Sequence, residues 1–112
     1  MANLRGQLPI PPSALSDPQS QELLRAWRAD GGLHVCLNIG VWDHLGKGQE
    51  PRAWGIVLAD AARHVADALA KHEGRPRGET LEAIKRELDK ELDEPTSPRR
   101  GRFVKPTRDD EV

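Results

Sequence analysis

The residues with the clearest potential for chemistry are Asp60 and His64, which lie one helical turn apart in the stretch AWGIVLADAARHVADAL. A carboxylate that orients an imidazole is half of a nucleophilic triad, and a histidine can act as a general base near neutral pH. The same stretch carries Arg63, Asp67 and Lys71 as oppositely charged neighbours at four-residue spacing, a pattern common on solvated helix faces. We therefore favour a structural role for Asp60 and His64 over a catalytic one.

Metal binding is the second chemistry that the sequence raises. His34 and Cys36 lie two residues apart on one face of an expected strand, and Asp43 and His44 follow in a loop. Zinc needs four protein ligands in a structural site and three in a catalytic one, but no CxxC, HxxxH or HExxH spacing occurs. We expect no metal site and no cofactor, with Cys36 as a buried thiol.

Two residues are candidates for binding a partner or ligand, Trp42 and His34. Trp42 comes just after the expected strand, and tryptophan is enriched at the energetic centres of protein interfaces. An exposed Trp42 would anchor a partner, while packing in the core is the favoured alternative. His34 is the second binding candidate, and it could join a ligand site built around His64 and Asp60.

Composition limits the function classes. The 112 residues carry 17 basic and 18 acidic side chains, so a net charge of −1 provides no general attraction to nucleic acid or anionic lipid. No apolar run approaches the ~20 residues of a membrane-spanning helix, and the N-terminus lacks the apolar segment of a signal peptide. The single cysteine cannot form an internal disulfide. We expect a cytoplasmic protein without membrane contact.

Proline and charge patterns divide the chain into an extended N-terminal arm (residues 1–13), a single small domain (14–94) and a disordered charged tail (95–112). The tail contains RRGRFVKPTR, which could contact phosphates, but the closing DDEV partly cancels that charge. Nucleic acid is therefore an unfavoured partner. A domain of roughly 80 residues gains only a few kcal/mol from one core. We expect it to gain further stability as a homodimer.

The first half of the domain predicts a short helix and a hairpin. Ser16 and Asp17 are candidate N-caps, with Pro18 in the first turn. Apolar residues alternate over residues 33–40, which indicates a strand. The Asp-Gly pair before it suits a tight hairpin turn, with residues 23–29 as the partner strand. A longer first helix through residues 23–29 remains the alternative.

The second half predicts two helices. In the first, Pro51 suits the first turn and Gly74 the C-terminal stop. Its apolar stripe, expected to pack on the sheet, comprises Trp54, Val57, Leu58, Ala61, Val65, Ala68 and Leu69. Gly55, Ala59, Ala66 and Ala70 lie on the other side, which could admit another helix or face water. The last helix spans about residues 79–93 and ends before Pro95.

These elements predict an α+β domain with a short N-terminal helix, an antiparallel β-hairpin and two C-terminal helices packed on one face. Dimer contact would come from the edge strand or from the Gly/Ala side of the longer helix. The core LLRAWRADGGLHVCLNIGVWDH and AWGIVLADAARHVADALA, with the preceding LPIPP, resembles a family of small bacterial proteins carrying a domain-of-unknown-function label. The resemblance covers residues 8–93. It implies a hairpin and a proteobacterial cytosol, but no activity, cofactor or catalytic residue.

Three functions follow as hypotheses. The favoured one is a non-enzymatic interaction or regulatory module with an exposed apolar surface near Trp42 or the sheet edge. The second is a small enzyme or ligand-binding protein that uses His64 with Asp60 in a pocket. The third is weak nucleic-acid contact through the basic tail, which would weaken steeply with salt.

Overall fold

The computed structural model describes residues 6–96, so most of the expected disordered tail lies outside the described residues. The elements in chain order are α1 (Pro12–Ser16), β1 (Leu24–Ala29), β2 (Gly32–Leu37), a 3-10 turn at Asp43–Leu45, α2 (Gln49–Glu73) and α3 (Arg77–Asp93). The two strands pair antiparallel. The α+β class is confirmed. None of the helices in residues 6–96 combines the length and apolarity needed to cross a bilayer.

The position of α1 differs from the prediction. The helix begins at Pro12 and ends at Ser16, where Ser16 and Asp17 were expected to start it. Asp17 has an extended backbone (φ −102°, ψ 109°), and its carboxylate accepts the N–H of Gln19 at 2.8 Å. The predicted N-caps are therefore wrong, because the Asp17 side chain closes a local turn around Pro18 instead of capping a helix.

The hairpin is confirmed, and the alternative of a longer first helix is wrong. Leu24 lies opposite Leu37, and Ala29 lies opposite Gly32. The two turn residues, Asp30 and Gly31, have φ angles of 50° and 74°. Positive φ at both positions is the signature of the type I′ turn, whose twist matches that of the strands.

Both ends of α2 agree with the prediction. Pro51 lies in its first turn, and Gly74 follows the last residue in the left-handed conformation, with φ 69°. The next helix starts at Arg77, slightly earlier than predicted, directly after Pro76. The buried Thr80 hydroxyl donates to the Pro76 carbonyl at 2.9 Å, which ties the first turn of α3 to the connection.

The side of α2 that packs on α3 is the one with small residues. Ala66 is 0% exposed, and Ala62 and Ala70 are half-buried. Over this part of α2 the Gly/Ala side is therefore covered by α3 of the same chain, so the alternative in which it admits another helix is confirmed there and the alternative in which it faces water is wrong. Small side chains allow the two helix axes to approach closely, which is why this side makes the contact.

The two long helices make no close backbone contact with the sheet. No Cα atom of β1 or β2 lies within 8 Å of a Cα atom of α2 or α3. On the predicted apolar stripe of α2, Trp54 and Val57 are half-buried, but Ala61 and Val65 are exposed. The prediction that this stripe enters a shared interior is thus wrong for Ala61 and Val65 within one chain.

Candidate interaction surface

Asp60 and His64 form a contact on the outside of α2. His64 Nε2 lies 3.4 Å from Asp60 Oδ2, and their side chains are 77% and 63% exposed. Within residues 6–96, no third side chain hydrogen-bonds to either of them. The structure therefore places this pair in solvent and not in an enclosed site.

A polar junction that sequence reasoning missed lies at the start of α2. The Glu50 carboxylate accepts the backbone N–H of Gly40 at 2.8 Å and that of Trp42 at 3.0 Å. It also accepts the indole N–H of Trp54 at 3.0 Å. A carboxylate near a helix N-terminus followed four residues later by a tryptophan was the available signal, because these positions share one helix side.

This junction determines where Trp42 lies. Its ring meets Trp54 edge to face, with centroids 5.6 Å apart and planes at 87°. Trp42 is half-buried, and its backbone N–H is held by Glu50. The structure therefore places Trp42 against the first turns of α2, where it leaves only part of its ring for a partner.

His34 and Cys36 lie on one hairpin face, as the alternation predicts. His34 is exposed and lies opposite Trp27, while Cys36 is half-buried and lies opposite Arg25. Among the residues that the structure describes, no group of three or more His, Cys, Asp or Glu side chains is placed to hold a metal ion. His34 and the Asp60–His64 pair belong to elements without close backbone contact.

The other hairpin face is mostly apolar and only partly covered, and we name it the open hairpin face. Leu33, Val35 and Leu37 of β2 share it with Arg28, Ala26 and Leu24 of β1, and among these Leu24, Val35 and Leu37 are half-buried. Leu33 is 64% exposed. The two-stranded sheet also has two free edges, because it contains no third strand within residues 6–96. An open apolar face beside free edges is a surface that folded proteins normally cover.

Exposed apolar side chains recur throughout the described chain. The only hydrophobic residue of residues 6–96 that is fully enclosed is Ala66. The large hydrophobic side chains that remain exposed are Leu8, Ile10, Leu15, Leu33, Ile39, Leu45, Ile56, Leu58, Val65, Leu88 and Leu92. We name Leu58, Ala61 and Val65, which lie on one side of α2, the α2 stripe. This stripe and the open hairpin face are the two candidate interaction surfaces.

A protein-family model described as "Domain of unknown function (DUF5076)" matches residues 7–96. The chain belongs to the DUF5076 family. The family resemblance inferred from the sequence is confirmed. No curated protein matches this DUF5076 chain.

One solved structure is similar to this DUF5076 chain over nearly its full length. It is described as that of "a putative pyruvate dehydrogenase from the photosynthetic bacterium Rhodopseudomonas palustrus CGA009". The two share 31% sequence identity with a TM-score of 0.68, and the match covers 93% of this chain and 99% of the other. The DUF5076 match begins at residue 7, so the exposed segment before α1 is part of the family domain.

Proposed function

We propose that this chain is a non-enzymatic interaction module that acts as a homodimer. The observation that carries the proposal is the near absence of an apolar interior. Among the described hydrophobic residues only Ala66 is buried, while large apolar side chains of the arm, the hairpin and both long helices are exposed. Because the core of a single small domain supplies only a few kcal/mol of net stability, association would supply further apolar burial.

A second copy is the partner that fits this surface with the fewest assumptions. The open hairpin face and the α2 stripe occur in every copy, so a two-fold association has matching apolar surfaces available from both chains. The small size of the domain adds to this argument. The similarity to a protein from a bacterium and the single cysteine support a bacterial, cytoplasmic setting.

An enzymatic role has weaker support. The pyruvate dehydrogenase description belongs to the similar protein. In this chain the one carboxylate–imidazole contact found in residues 6–96 is Asp60–His64, and both of its side chains are exposed to solvent. Catalytic acids and bases are normally placed in concave sites where burial or neighbouring charge shifts their pKa. We therefore keep catalysis as the alternative to be tested.

Light scattering after gel filtration of the full chain tests the proposal. We expect a mass twice the 12.4 kDa of the single chain. Val65→Asp, which places a charge on the α2 stripe, should shift the protein toward the monomer, because an unpaired buried charge opposes association. Arg63→Asp adds a carboxylate to an exposed position of the same helix and serves as the matched control. A folded, monomeric wild-type chain at about 100 μM would contradict the proposal.

A further inference from the structure

The segment before α1 exposes large apolar side chains. Residues 7–11 are the part of the N-terminal arm that the structure describes outside α1, and from here on the arm means these residues. Leu8 is 84% exposed and Ile10 is 57% exposed, and the backbone at Pro11 is extended, with φ −60° and ψ 143°. Within residues 6–96, neither Leu8 nor Ile10 makes a hydrogen bond through its backbone. The Pro11 carbonyl accepts the N–H groups of Ala14 and Leu15 at 3.0 and 3.2 Å and so joins the arm to α1. Leu8 and Ile10, in the same family-domain segment, leave their backbone groups unused within residues 6–96.

The order of residues in the arm matches that of an edge strand. In an extended strand, alternate residues direct both their backbone groups to one edge and their side chains to one face. Leu8 and Ile10 therefore present their N–H and C=O groups to the same edge. The backbone groups of Pro9 and Pro11 point to the opposite edge. Proline has no N–H to donate, so it is tolerated in a sheet where its edge faces solvent. The arm can thus pair on one side only.

The β2 strand offers a matching free edge. Because the type I′ turn makes Ala29 and Gly32 a hydrogen-bonded pair, the bonding groups of Leu33, Val35 and Leu37 point away from β1. The bond from the Asn38 N–H to the Leu23 carbonyl, 2.9 Å long, agrees with this alternation. We name these outward groups of Leu33, Val35 and Leu37 the β2 edge.

The arm and the β2 edge agree in side-chain chemistry and in length. The side chains of Leu33, Val35 and Leu37 lie on the open apolar face of the hairpin. A strand that pairs there through Leu8 and Ile10 would extend this face with two more apolar side chains. The arm would span about 17 Å and β2 about 20 Å at the rise of an extended strand. The β1 edge is a poorer match for the apolar arm, because its residue opposite Leu33 is the charged Arg28.

From these matches we infer that the arm of each chain adds as a third strand to the β2 edge of a second copy. The inference rests on the proposed homodimer and specifies how it forms. Every copy carries one arm and one β2 edge, so reciprocal exchange satisfies both and closes with two-fold symmetry. The prolines stiffen the arm in its extended form, which reduces the entropy lost when it docks.

Mixed cross-linking tests the exchange directly. Two variants are prepared in a Cys36→Ser background, one with Ile10→Cys and one with Val35→Cys, and are mixed and oxidised. We expect a disulfide-linked dimer from the mixture. Leu33→Cys and Leu37→Cys replace Val35→Cys in parallel reactions to cover the pairing register. Leu92→Cys, at an exposed position of α3, replaces Ile10→Cys as the matched control and should give no cross-link.

A chain that carries both Ile10→Cys and Val35→Cys distinguishes two arrangements. In one the arm pairs with the β2 edge of a second copy, and in the other it pairs with the β2 edge of its own chain. Exchange gives a covalent dimer on a non-reducing gel, whereas an intrachain disulfide in a monomer would overturn the inference. A dimer by light scattering with no cross-link at any of the three β2 positions would also overturn it, and would leave the proposed homodimer standing. A monomeric wild-type chain would overturn both.

Hydrogen exchange provides a readout that does not depend on cysteine. In the wild-type dimer the amides of Leu33, Val35 and Leu37 should exchange slowly, although their partners lie outside the hairpin. The variant Leu8→Ser/Ile10→Ser should increase their exchange rates at least tenfold while the β1–β2 amides stay protected. Equal amide exchange rates at the β2 edge in the two proteins would contradict the pairing of the arm with a second copy.

Discussion

Trp42 and Trp54 meet edge to face with their ring centroids 5.6 Å apart, and the Glu50 carboxylate bonds to both residues. The contact joins the segment that follows the hairpin to the first turns of α2. Because the strands and the two long helices have no close backbone contact, this junction fixes the path of the chain between them. An edge-to-face pair adds about 0.5–1.5 kcal/mol beyond the area that it buries.

Replacing Glu50 with glutamine should destabilise the domain. The amide retains one acceptor oxygen but directs an NH2 group at an N–H that the carboxylate accepted, so at least one of three hydrogen bonds is lost. We expect Glu50→Gln to lower the free energy of unfolding by about 1–3 kcal/mol in urea titrations. Glu82→Gln, at an exposed position of α3, is the matched control. Equal midpoints for the two variants would show that the junction contributes nothing.

Local patterns were sufficient to predict most of the fold. The alternation from Leu33 to Ile39 identified β2, and the Asp30–Gly31 pair identified its turn, because both signals arise from backbone geometry within a few residues. Gly74 marked the end of α2 for the same reason. α1 was misplaced, because the sequence does not show whether the Asp17 side chain will cap a helix or close a turn.

The contacts between elements could not be predicted from these patterns. The apolar stripe of α2 was expected to be buried, but α3 packs instead on the side with Ala66. Helical periodicity shows which side chains share a side, not which side a distant element will cover. The Glu50 junction was missed for a related reason, since its donors Gly40 and Trp42 come from a loop without periodicity.

The hairpin turn should depend on Gly31. Its φ of 74° lies in the left-handed region, where a Cβ atom is strained even though the surrounding space is open. Gly31→Ala should therefore lower the free energy of unfolding by about 1 kcal/mol. Gly32→Ala is the matched control, because Gly32 has open space and no positive φ. Thermal unfolding of the two variants should give a lower Tm for Gly31→Ala, and the reverse order would contradict the type I′ turn.

The contact between α2 and α3 should not tolerate a larger residue at position 66. Ala66 is fully enclosed, so Ala66→Leu must separate the helices or force unfavourable rotamers. We expect a loss of about 1–3 kcal/mol in the free energy of unfolding. Ala59→Leu adds the same atoms to an exposed position of α2 and should change stability by less than about 0.5 kcal/mol. Equal effects would indicate that α3 does not pack at Ala66.

Substitution of His64 separates the structural interpretation from the catalytic one. As half of an exposed pair at four-residue spacing, it should contribute no more than about 0.5 kcal/mol, so His64→Ala should unfold at nearly the wild-type urea concentration. The variant should also retain the wild-type mass in light scattering, because the pair lies outside the α2 stripe. If the wild-type chain converts a substrate and His64→Ala and Asp60→Asn both abolish turnover while remaining folded dimers, the non-enzymatic proposal is wrong. Comparable turnover in all three proteins would show that any activity resides elsewhere, since a general base cannot be removed without a large loss of rate.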